Sequence, residues 1–267
     1  MKGLITLAAA ALLALGIGGA AIASGPDLKL EPAPINRLDA PSLQRGARTF
    51  VNYCLNCHSA KYMRYNRLTD IGVDIAMIQD NLMFATDKVA NTMTVAMTPA
   101  EAKSWFGTPP PDLTVEARVR GADWLYNYFL GFYEDDKSVT GWNNLVFPNV
   151  AMPHVLYALG GTNRLVTKEY EDHEAASAAA IGAKRLVLME PAKGGKYAVS
   201  TLEIDKPGTL TRDQYQAYVA DLVNYMDYMS EPTRNARIHI GIVVLLYLGL
   251  LFVLAYWLKR EVWKDLH

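Results

Sequence analysis

Two cysteines and a histidine within five consecutive residues, Cys54-Leu55-Asn56-Cys57-His58, constrain this chain more than any other feature. The spacing is that of a c-type haem attachment site, in which both thiols bond to one porphyrin and the histidine that follows ligates the iron. Cys54 and Cys57 are the only cysteines in the chain, so a zinc site with four cysteine ligands is excluded. The motif predicts one covalently bound haem c with His58 as an axial ligand.

Two other interpretations of the motif explain less. A structural disulfide between Cys54 and Cys57 would leave His58 without a role. A thioredoxin-like redox pair is expected in a strand–turn–helix setting within a βαβ pattern, and the flanking sequence does not alternate in that way. Covalent haem is therefore the prediction that uses all three side chains.

The two ends of the chain have the composition of export and membrane segments. Residues 1–23 combine Lys2, a long apolar run and the small-residue ending Ala21-Ile22-Ala23, which predicts a cleaved signal peptide rather than a retained anchor. Residues 238–258 are apolar apart from His239 at the start, and a helix of that length spans a hydrocarbon core of roughly 30 Å. The predicted order is a signal peptide (1–23), a haem domain (24–237), a transmembrane helix (238–258) and a tail (259–267).

Export of the haem domain fixes the expected orientation of the chain. The tail carries Lys259, Arg260 and Lys264, in agreement with the positive-inside rule, although two arginines just before the span weaken the asymmetry. Attachment of haem c is periplasmic chemistry. We therefore expect a single-pass protein of the bacterial inner membrane, with the haem domain in the periplasm and the C-terminus in the cytoplasm.

Helical patterns dominate the segment between these ends. A helix over 43–53, opened by Pro41-Ser42, leads into the haem motif. The capping box Thr211-Arg212-Asp213-Gln214 opens a second helix, whose apolar stripe runs to Met226 and predicts a core face. In small c-type cytochromes a helix before the haem motif crosses a C-terminal helix, and this pair has the same order.

The remaining segments predict a hairpin and long loops. Residues 184–190 and 196–204 are β-rich, and Gly194-Gly195 between them predicts a β-hairpin. Residues 106–114 and 141–154 are rich in Gly, Pro and Asn and predict loops. The fold class is thus mainly α: a cytochrome c-like haem domain with long loops and a β-hairpin, plus one C-terminal transmembrane helix.

A single histidine leaves the sixth coordination position of the iron to another residue. Met152 lies in the irregular segment Phe147-Pro148-Asn149-Val150-Ala151-Met152-Pro153-His154, which two prolines stiffen. Met77, Met83 and Met226 lie in amphipathic patterns and are more simply packing residues. Met152 is the predicted ligand, with His154 as its rival; another methionine or an open position are the remaining alternatives.

The motifs together resemble the cytochrome c1 family, the haem c subunit of the ubiquinol–cytochrome c oxidoreductase (bc1 complex). The resemblance rests on a series of motifs in family order, between a signal peptide and a C-terminal anchor. They are Gln44-Arg45-Gly46, the haem motif, Pro110-Pro111-Asp112-Leu113, Ala117-Arg118 and Pro148-Asn149-Val150-Ala151-Met152-Pro153.

The resemblance implies roles for individual residues. It places the axial methionine at Met152 and makes Pro111 and Leu113 candidates for packing along the haem. It also implies an arginine that pairs with a haem propionate through a charge-assisted hydrogen bond. Arg118 matches that arginine best and Arg120 is a near rival, because the register of Ala-Arg-Val-Arg-Gly is ambiguous.

The implied activity is electron transfer, and the chain is not expected to be an enzyme on its own. In the respiratory chain it would sit beside cytochrome b and pass single electrons from a Rieske iron–sulfur protein to a periplasmic cytochrome c. The acidic runs at 134–136 and 169–174 are either solvated surface or steer a basic partner; no nucleic acid partner is expected. The alternatives are an anchored cytochrome c that donates to a terminal oxidase, a haem-bearing sensor with an open sixth position, and a haem-free thiol redox protein.

Overall fold

The computed structural model describes residues 28, 30–183 and 186–264. The predicted signal peptide over 1–23 lies outside these residues, as do the last three residues of the tail. The first half of the described chain is built from short helices and two-residue to five-residue strands. In chain order these are α1 (Ala40–Thr49), β1 (Ala60–Arg64), α2 (Ile75–Leu82), β2 (Thr92–Met93), α3 (Pro99–Phe106), α4 (Glu116–Arg120) and α5 (Ala122–Leu130).

The second half contains a larger sheet and two long helices. Its elements are β3 (Phe132–Glu134), β4 (Trp142–Asn144), α6 (Tyr157–Gly160), β5 (Thr162–Tyr170), α7 (His173–Gly182), β6 (Val187–Pro191), β7 (Tyr197–Lys206), α8 (Arg212–Ser230) and α9 (Arg234–Val262). The mainly α fold class is confirmed. Small antiparallel sheets supplement the helices: β1 pairs with β2, β3 pairs with β4, and β5, β7 and β6 form a three-stranded sheet in that order.

Helices α1 and α8 cross closely and form the centre of the core. At Gly46 a methyl group would lie 2.0 Å from the backbone oxygen of Asp221 and 2.7 Å from Cβ of Tyr225, so only glycine allows this approach. The Arg45 guanidinium joins the same two helices, with its Nε 2.6 Å from a carboxylate oxygen of Asp221. The predicted helix pair is present, and the crossing explains the glycine of the Gln-Arg-Gly motif.

The helix that leads to the haem motif differs from the prediction at both ends. It begins at Ala40, where the Asp39 side chain accepts a hydrogen bond from the backbone N–H of Ser42. After Thr49 the chain widens into a π-helical turn over Phe50–Cys54, with the N–H of Leu55 donating to the carbonyl of Phe50 at 3.0 Å. The α-helix predicted to reach Tyr53 thus ends earlier because a wider turn presents Cys54.

The predicted hairpin forms, and a third strand joins it. Strands β6 and β7 pair antiparallel in register from Val187 with Thr201 to Pro191 with Tyr197, although residues 184–185 lie outside the described chain. Strand β5 pairs along the other edge of β7 and was not predicted. The predicted loop over 141–154 is wrong at its start, where β4 pairs with β3.

Helix α9 follows α8 after a break at residues 231–233 and contains the whole predicted span over 238–258. Among the described residues, this is the one helix long and apolar enough to cross a membrane, judged by its length and composition. None of its residues is buried against the rest of the chain. The chain therefore carries one long apolar C-terminal helix with the character of a single-pass membrane anchor.

Candidate haem site

A deep apolar cleft lies beside the haem motif and encloses about 1190 Å³, counting the space open to solvent at its mouth. Four stretches of chain and one residue of α8 form its walls. The lining residues belong to the stretches 53–58, 106–116, 120–129 and 147–155, in which not every residue faces the cleft, and Met226 joins them from α8. The cleft thus brings together the haem motif, the Pro-Pro-Asp-Leu segment and the methionine segment, which are far apart in sequence.

The π-helical turn places Cys54 on the wall of the cleft, and the tight turn after it places Cys57 there. Cys54 is buried, Cys57 is half-buried, and both are free thiols. The N–H groups of Cys57 and His58 donate to the carbonyl of Cys54 at 3.1 and 2.8 Å, which tightens the chain directly after the π turn. The pKa of the Cys54 thiol is raised to about 12, mainly by burial and to a smaller extent by the nearby Cys57. The thiol is therefore protonated near neutral pH.

His58 is held in one orientation by the Pro-Pro-Asp-Leu segment. Its Nδ1 lies 2.8 Å from the carbonyl oxygen of Pro111 and can only donate there, which leaves Nε2 as the nitrogen with a free lone pair. Burial lowers the pKa of His58 against the opposing effect of that hydrogen bond, which favours the neutral imidazole that a metal ligand requires. The backbone N–H of Leu113 donates to the carbonyl of Ser59 at 2.9 Å and ties the segment to the motif.

Met152 lines the cleft, and its sulfur already has a polar neighbour. The Tyr128 hydroxyl donates to Sδ of Met152 at 3.3 Å. The rival ligand His154 is buried elsewhere, stacked on the ring of Phe132 with centroids 4.9 Å apart, and it is not among the described residues that line the cleft. Burial lowers the pKa of His154 to about 4. The two candidate ligands thus occupy different environments, and Met152 is the one at the cleft.

Asparagine side chains shape the segment that presents Met152. The Asn144 side chain accepts from the N–H groups of Val146 and Phe147 at 2.8 and 3.2 Å, and it donates to the carbonyl of Tyr128 at 2.7 Å. The Asn143 side chain accepts from the N–H of Asn149 at 2.8 Å. Side-chain amides therefore replace regular secondary structure in holding the methionine segment against α5.

The structure distinguishes the two candidate arginines by position. The Arg120 guanidinium lines the cleft, 4.4 Å from the ring centroid of Trp124, and its Nε lies 3.0 Å from a carboxylate oxygen of Glu116. Arg118 is not among the described residues that line the cleft; its side chain is 63% exposed and lies 3.6 Å from Glu231. Arg120 is therefore the arginine in a position to face an anionic group in the cleft.

Several aromatic residues of the cleft were not predicted from the sequence. Trp124 and Tyr128 lie one turn apart on α5, with their rings stacked at a centroid distance of 5.0 Å. Tyr53 and Phe129 also line the cleft, as does Met226, which was predicted only as a packing residue of the core. The spacing of four between Trp124 and Tyr128 was the available signal, because such residues share one face of a helix.

The acidic runs are partly engaged in contacts within the fold. Glu134 lies 3.8 Å from Lys206, and Asp135 accepts a hydrogen bond from the side chain of Asn143 at 2.8 Å. In the second run, Glu171 accepts from Lys196 at 2.7 Å, and Asp172 caps α7. These contacts give part of each run a structural role; steering of a basic partner stays a prediction.

The donor set of the cleft fits a covalent haem c. One apolar cavity is lined by two free thiols at the required spacing, by the imidazole of His58 and by the thioether of Met152. The Nδ1 of that imidazole is hydrogen-bonded to Pro111, so Nε2 is the nitrogen left for a metal. Arg120 supplies a positive charge at the same cavity. No other cofactor class would use all of these side chains.

Comparison with known proteins agrees with this chemistry. The cytochrome c1 family matches residues 31–184 and 208–266. The ammonia monooxygenase gamma subunit of Nitrosomonas europaea is 45% identical over 244 residues, which cover 91% of this chain and 92% of that protein. Cytochrome c1 of Allochromatium vinosum is 43% identical over 251 residues, 93% of this chain and 94% of that protein.

A more distant relative, the cytochrome b/c1 of Bradyrhizobium diazoefficiens, is 22% identical over 264 residues, 88% of this chain and 34% of that protein. The family match includes the haem motif, the Pro-Pro-Asp-Leu and methionine segments, and the whole of α8 and α9, and it omits the strands β6 and β7. The chain therefore belongs to the cytochrome c1 family of haem c electron carriers.

Proposed function

We propose that this chain is the haem c subunit of a quinol–cytochrome c oxidoreductase, which passes single electrons from a Rieske iron–sulfur protein to a periplasmic cytochrome c. The observation that carries the proposal is the convergence of Cys54, Cys57, His58 and Met152 on one apolar cleft. Membership of the cytochrome c1 family supports it, because the family supplies the non-catalytic electron-transfer subunit of bc1-type complexes.

The family implies a covalent haem c, which when bound supplies reversible one-electron exchange at its iron. Cys54 and Cys57 would hold this group by their sulfurs, and His58 and Met152 would ligate its iron. Pro111 and Leu113, which line the cleft, would pack against it, and the carbonyl of Pro111 would keep the imidazole oriented. Arg120, rather than Arg118, would offset the charge of a propionate.

The chain's own residues suit electron transfer better than binding of a small gas. Ligation by both His58 and Met152 would leave no coordination position for oxygen, and a thioether ligand favours the ferrous state. His58 is buried, and the walls of the cleft around the two ligands are largely apolar. The chain therefore needs no acid, base or nucleophile for its part of the reaction.

Helix α9 would anchor the haem domain to the bacterial inner membrane, with the domain in the periplasm and the tail in the cytoplasm. A relative named cytochrome b/c1 supports a partnership between this chain and cytochrome b, since that protein is longer and carries both names. Residues 1–23 would be removed on export, and residues 24–237 of the remaining chain would form the haem domain.

A second candidate function comes from the relative named ammonia monooxygenase gamma subunit. Its identity to this chain and the coverage of both chains are similar to those of the Allochromatium cytochrome c1. On this hypothesis the same haem domain and anchor would serve an ammonia-oxidising complex. The haem site would be unchanged, and the partners would differ.

Purification in mild detergent through a tag on this chain separates these possibilities. The visible difference spectrum is recorded after addition of a quinol, with and without an inhibitor of quinol oxidation. Inhibitor-sensitive reduction of haem c, with b-type haem in the same preparation, is the expected result. Haem c that copurifies with ammonia-oxidising activity would favour the second candidate. Haem c that is not reduced by quinol and purifies without b-type haem would favour a free-standing anchored carrier that donates to a terminal oxidase.

A further inference from the structure

The hydroxyl of Tyr128 is placed against the sulfur of the proposed methionine ligand. Tyr128 is 8% exposed, and its hydroxyl donates to Sδ of Met152 at 3.3 Å. A tyrosine hydroxyl has an ordinary pKa of about 10, so it keeps its proton and remains a donor throughout the physiological range. A buried hydroxyl that has lost its water needs such a partner, and here the partner is the thioether.

Contacts on two sides hold Tyr128 and Met152 together. The ring of Tyr128 is stacked on Trp124 and meets the ring of Phe132 edge-on, with centroids 5.1 Å apart. On the other side the Asn144 side chain joins the carbonyl of Tyr128 to the N–H groups that begin the methionine segment. The hydroxyl and the sulfur are thus fixed to one another by packing and by a shared side-chain amide.

We propose that Tyr128 is a positioning residue for Met152 that raises the midpoint potential of the haem through its hydrogen bond to the sulfur. A thioether sulfur has two lone pairs, so one can face iron while the other accepts the tyrosine proton. Donation of a hydrogen bond withdraws electron density from the sulfur, and the poorer ligand stabilises ferric iron less than it did before. This inference rests on the proposed role of Met152 as an axial ligand.

The test is a redox titration of the haem-loaded, full-length protein in detergent with Tyr128→Phe and a matched control. Tyr126→Phe is the control, because Tyr126 lies on the same helix, is 5% exposed and is not among the described residues that line the cleft. Tyr128→Phe is expected to lower the ferrous-to-ferric ratio at a fixed applied potential about two- to tenfold. That factor corresponds to the net free energy that one hydrogen bond typically contributes. Tyr126→Phe is expected to leave the ratio unchanged.

Two further measurements separate tuning from a structural effect. The weak long-wavelength band of methionine bound to ferric iron is expected to persist in Tyr128→Phe, because the ligand remains in place. Thermal unfolding of both variants shows whether the loss of a buried hydroxyl alone explains the result. A merely structural role would lower the melting temperature of Tyr128→Phe and leave its midpoint potential unchanged, and that result would overturn the inference.

Met152→Leu distinguishes failure of this inference from failure of the proposed ligand. If Met152→Leu abolishes the methionine band while Tyr128→Phe leaves the potential unchanged, Met152 is a ligand and Tyr128 does not tune it. If Met152→Leu retains the band, the ligand is a different methionine, and both the assignment of Met152 and the inference about Tyr128 are wrong.

Discussion

The Nδ1 atom of His58 and the carbonyl oxygen of Pro111 lie 2.8 Å apart, so a residue 53 positions along the chain sets the tautomer of the haem-motif histidine. Both groups are anchored. The carboxylate of Asp112, next to Pro111, accepts from the backbone N–H groups of Lys61 and Thr114 at 2.8 and 2.9 Å. The histidine and the loop that orients it therefore behave as one unit.

Loss of the Asp112 carboxylate should release this loop. Asp112→Ala leaves the N–H groups of Lys61 and Thr114 without their acceptor, and we expect a loss of about 1–3 kcal/mol in the free energy of unfolding. Denaturant unfolding measures it. Asp136→Ala, at an exposed acidic residue, is the control and should change stability little. An equal effect of both substitutions would show that the carboxylate does not hold the loop.

Met152→Leu should remove the sixth ligand while conserving apolar volume. We expect the midpoint potential to fall by roughly 100 mV or more, because the thioether favours ferrous iron. The reduced variant should also bind carbon monoxide, which the native protein should not. Met77→Leu, at a half-exposed methionine outside the cleft lining, is the control. An unchanged potential in Met152→Leu would assign the sixth position to another residue.

Arg120 and Arg118 form a matched pair for the charge at the cleft. Arg120→Gln removes a positive charge from the cleft wall, which should stabilise ferric iron and lower the midpoint potential by on the order of 50 mV. Arg118→Gln should leave the potential nearly unchanged, since that side chain is largely exposed and faces Glu231. The reverse order of the two effects in a redox titration would make Arg118 the residue that serves the propionate.

Gly46→Ala should drive helices α1 and α8 apart. The added methyl group would meet backbone rather than a flexible side chain. We therefore expect a loss in the free energy of unfolding near the upper end of the range of about 1–3 kcal/mol. Gly182→Ala is the control, because a methyl group there has no heavy atom within 4 Å. Thermal or denaturant unfolding compares the two, and equal stabilities would contradict the close crossing.

His154 should make stability depend on pH between about pH 4 and 6.5. Its pKa falls from 6.5 to about 4 on folding, so the unfolded chain binds a proton in this range before the folded chain does. Stability should therefore be complete above the unfolded pKa and decline as the pH falls towards the folded pKa, by up to about 3 kcal/mol. Unfolding at pH 7.5 and 4.5 measures the loss. In His154→Phe the contribution should vanish, and an undiminished pH dependence would assign it to other groups.

The parts of the fold that were predictable depend on local chemistry. The haem motif needs its two cysteines and histidine in sequence, and the capping box at Thr211 and Gln214 forms as predicted, with the N–H of Thr211 donating to the Gln214 side chain at 2.9 Å. The hairpin followed from β-rich runs on either side of two glycines. Each of these features is decided by residues that are close together in the chain.

The unpredicted parts depend on distant partners. Strand β5 shows no clean alternation of buried and exposed residues, so it has no local pattern that marks a strand. Its partner β7 is distant in the chain, as the pairing of Thr167 with Ser200 illustrates. Tyr128 in the cleft was hidden because aromatic residues at helical spacing also suit an ordinary core. The choice between Arg118 and Arg120 depends on the short helix α4, which pairs Glu116 with Arg120 on one face.

The double contact of Asn144 has a consequence for the speed of electron exchange. One side-chain amide fixes both the helix that carries Tyr128 and the segment that carries Met152, while the carbonyl of Pro111 fixes His58 in another stretch of the lining. Such a frame has few atoms free to shift when charge arrives or leaves. A small reorganisation energy, rather than a large driving force, is what this arrangement provides to a carrier that must accept and release an electron in every cycle.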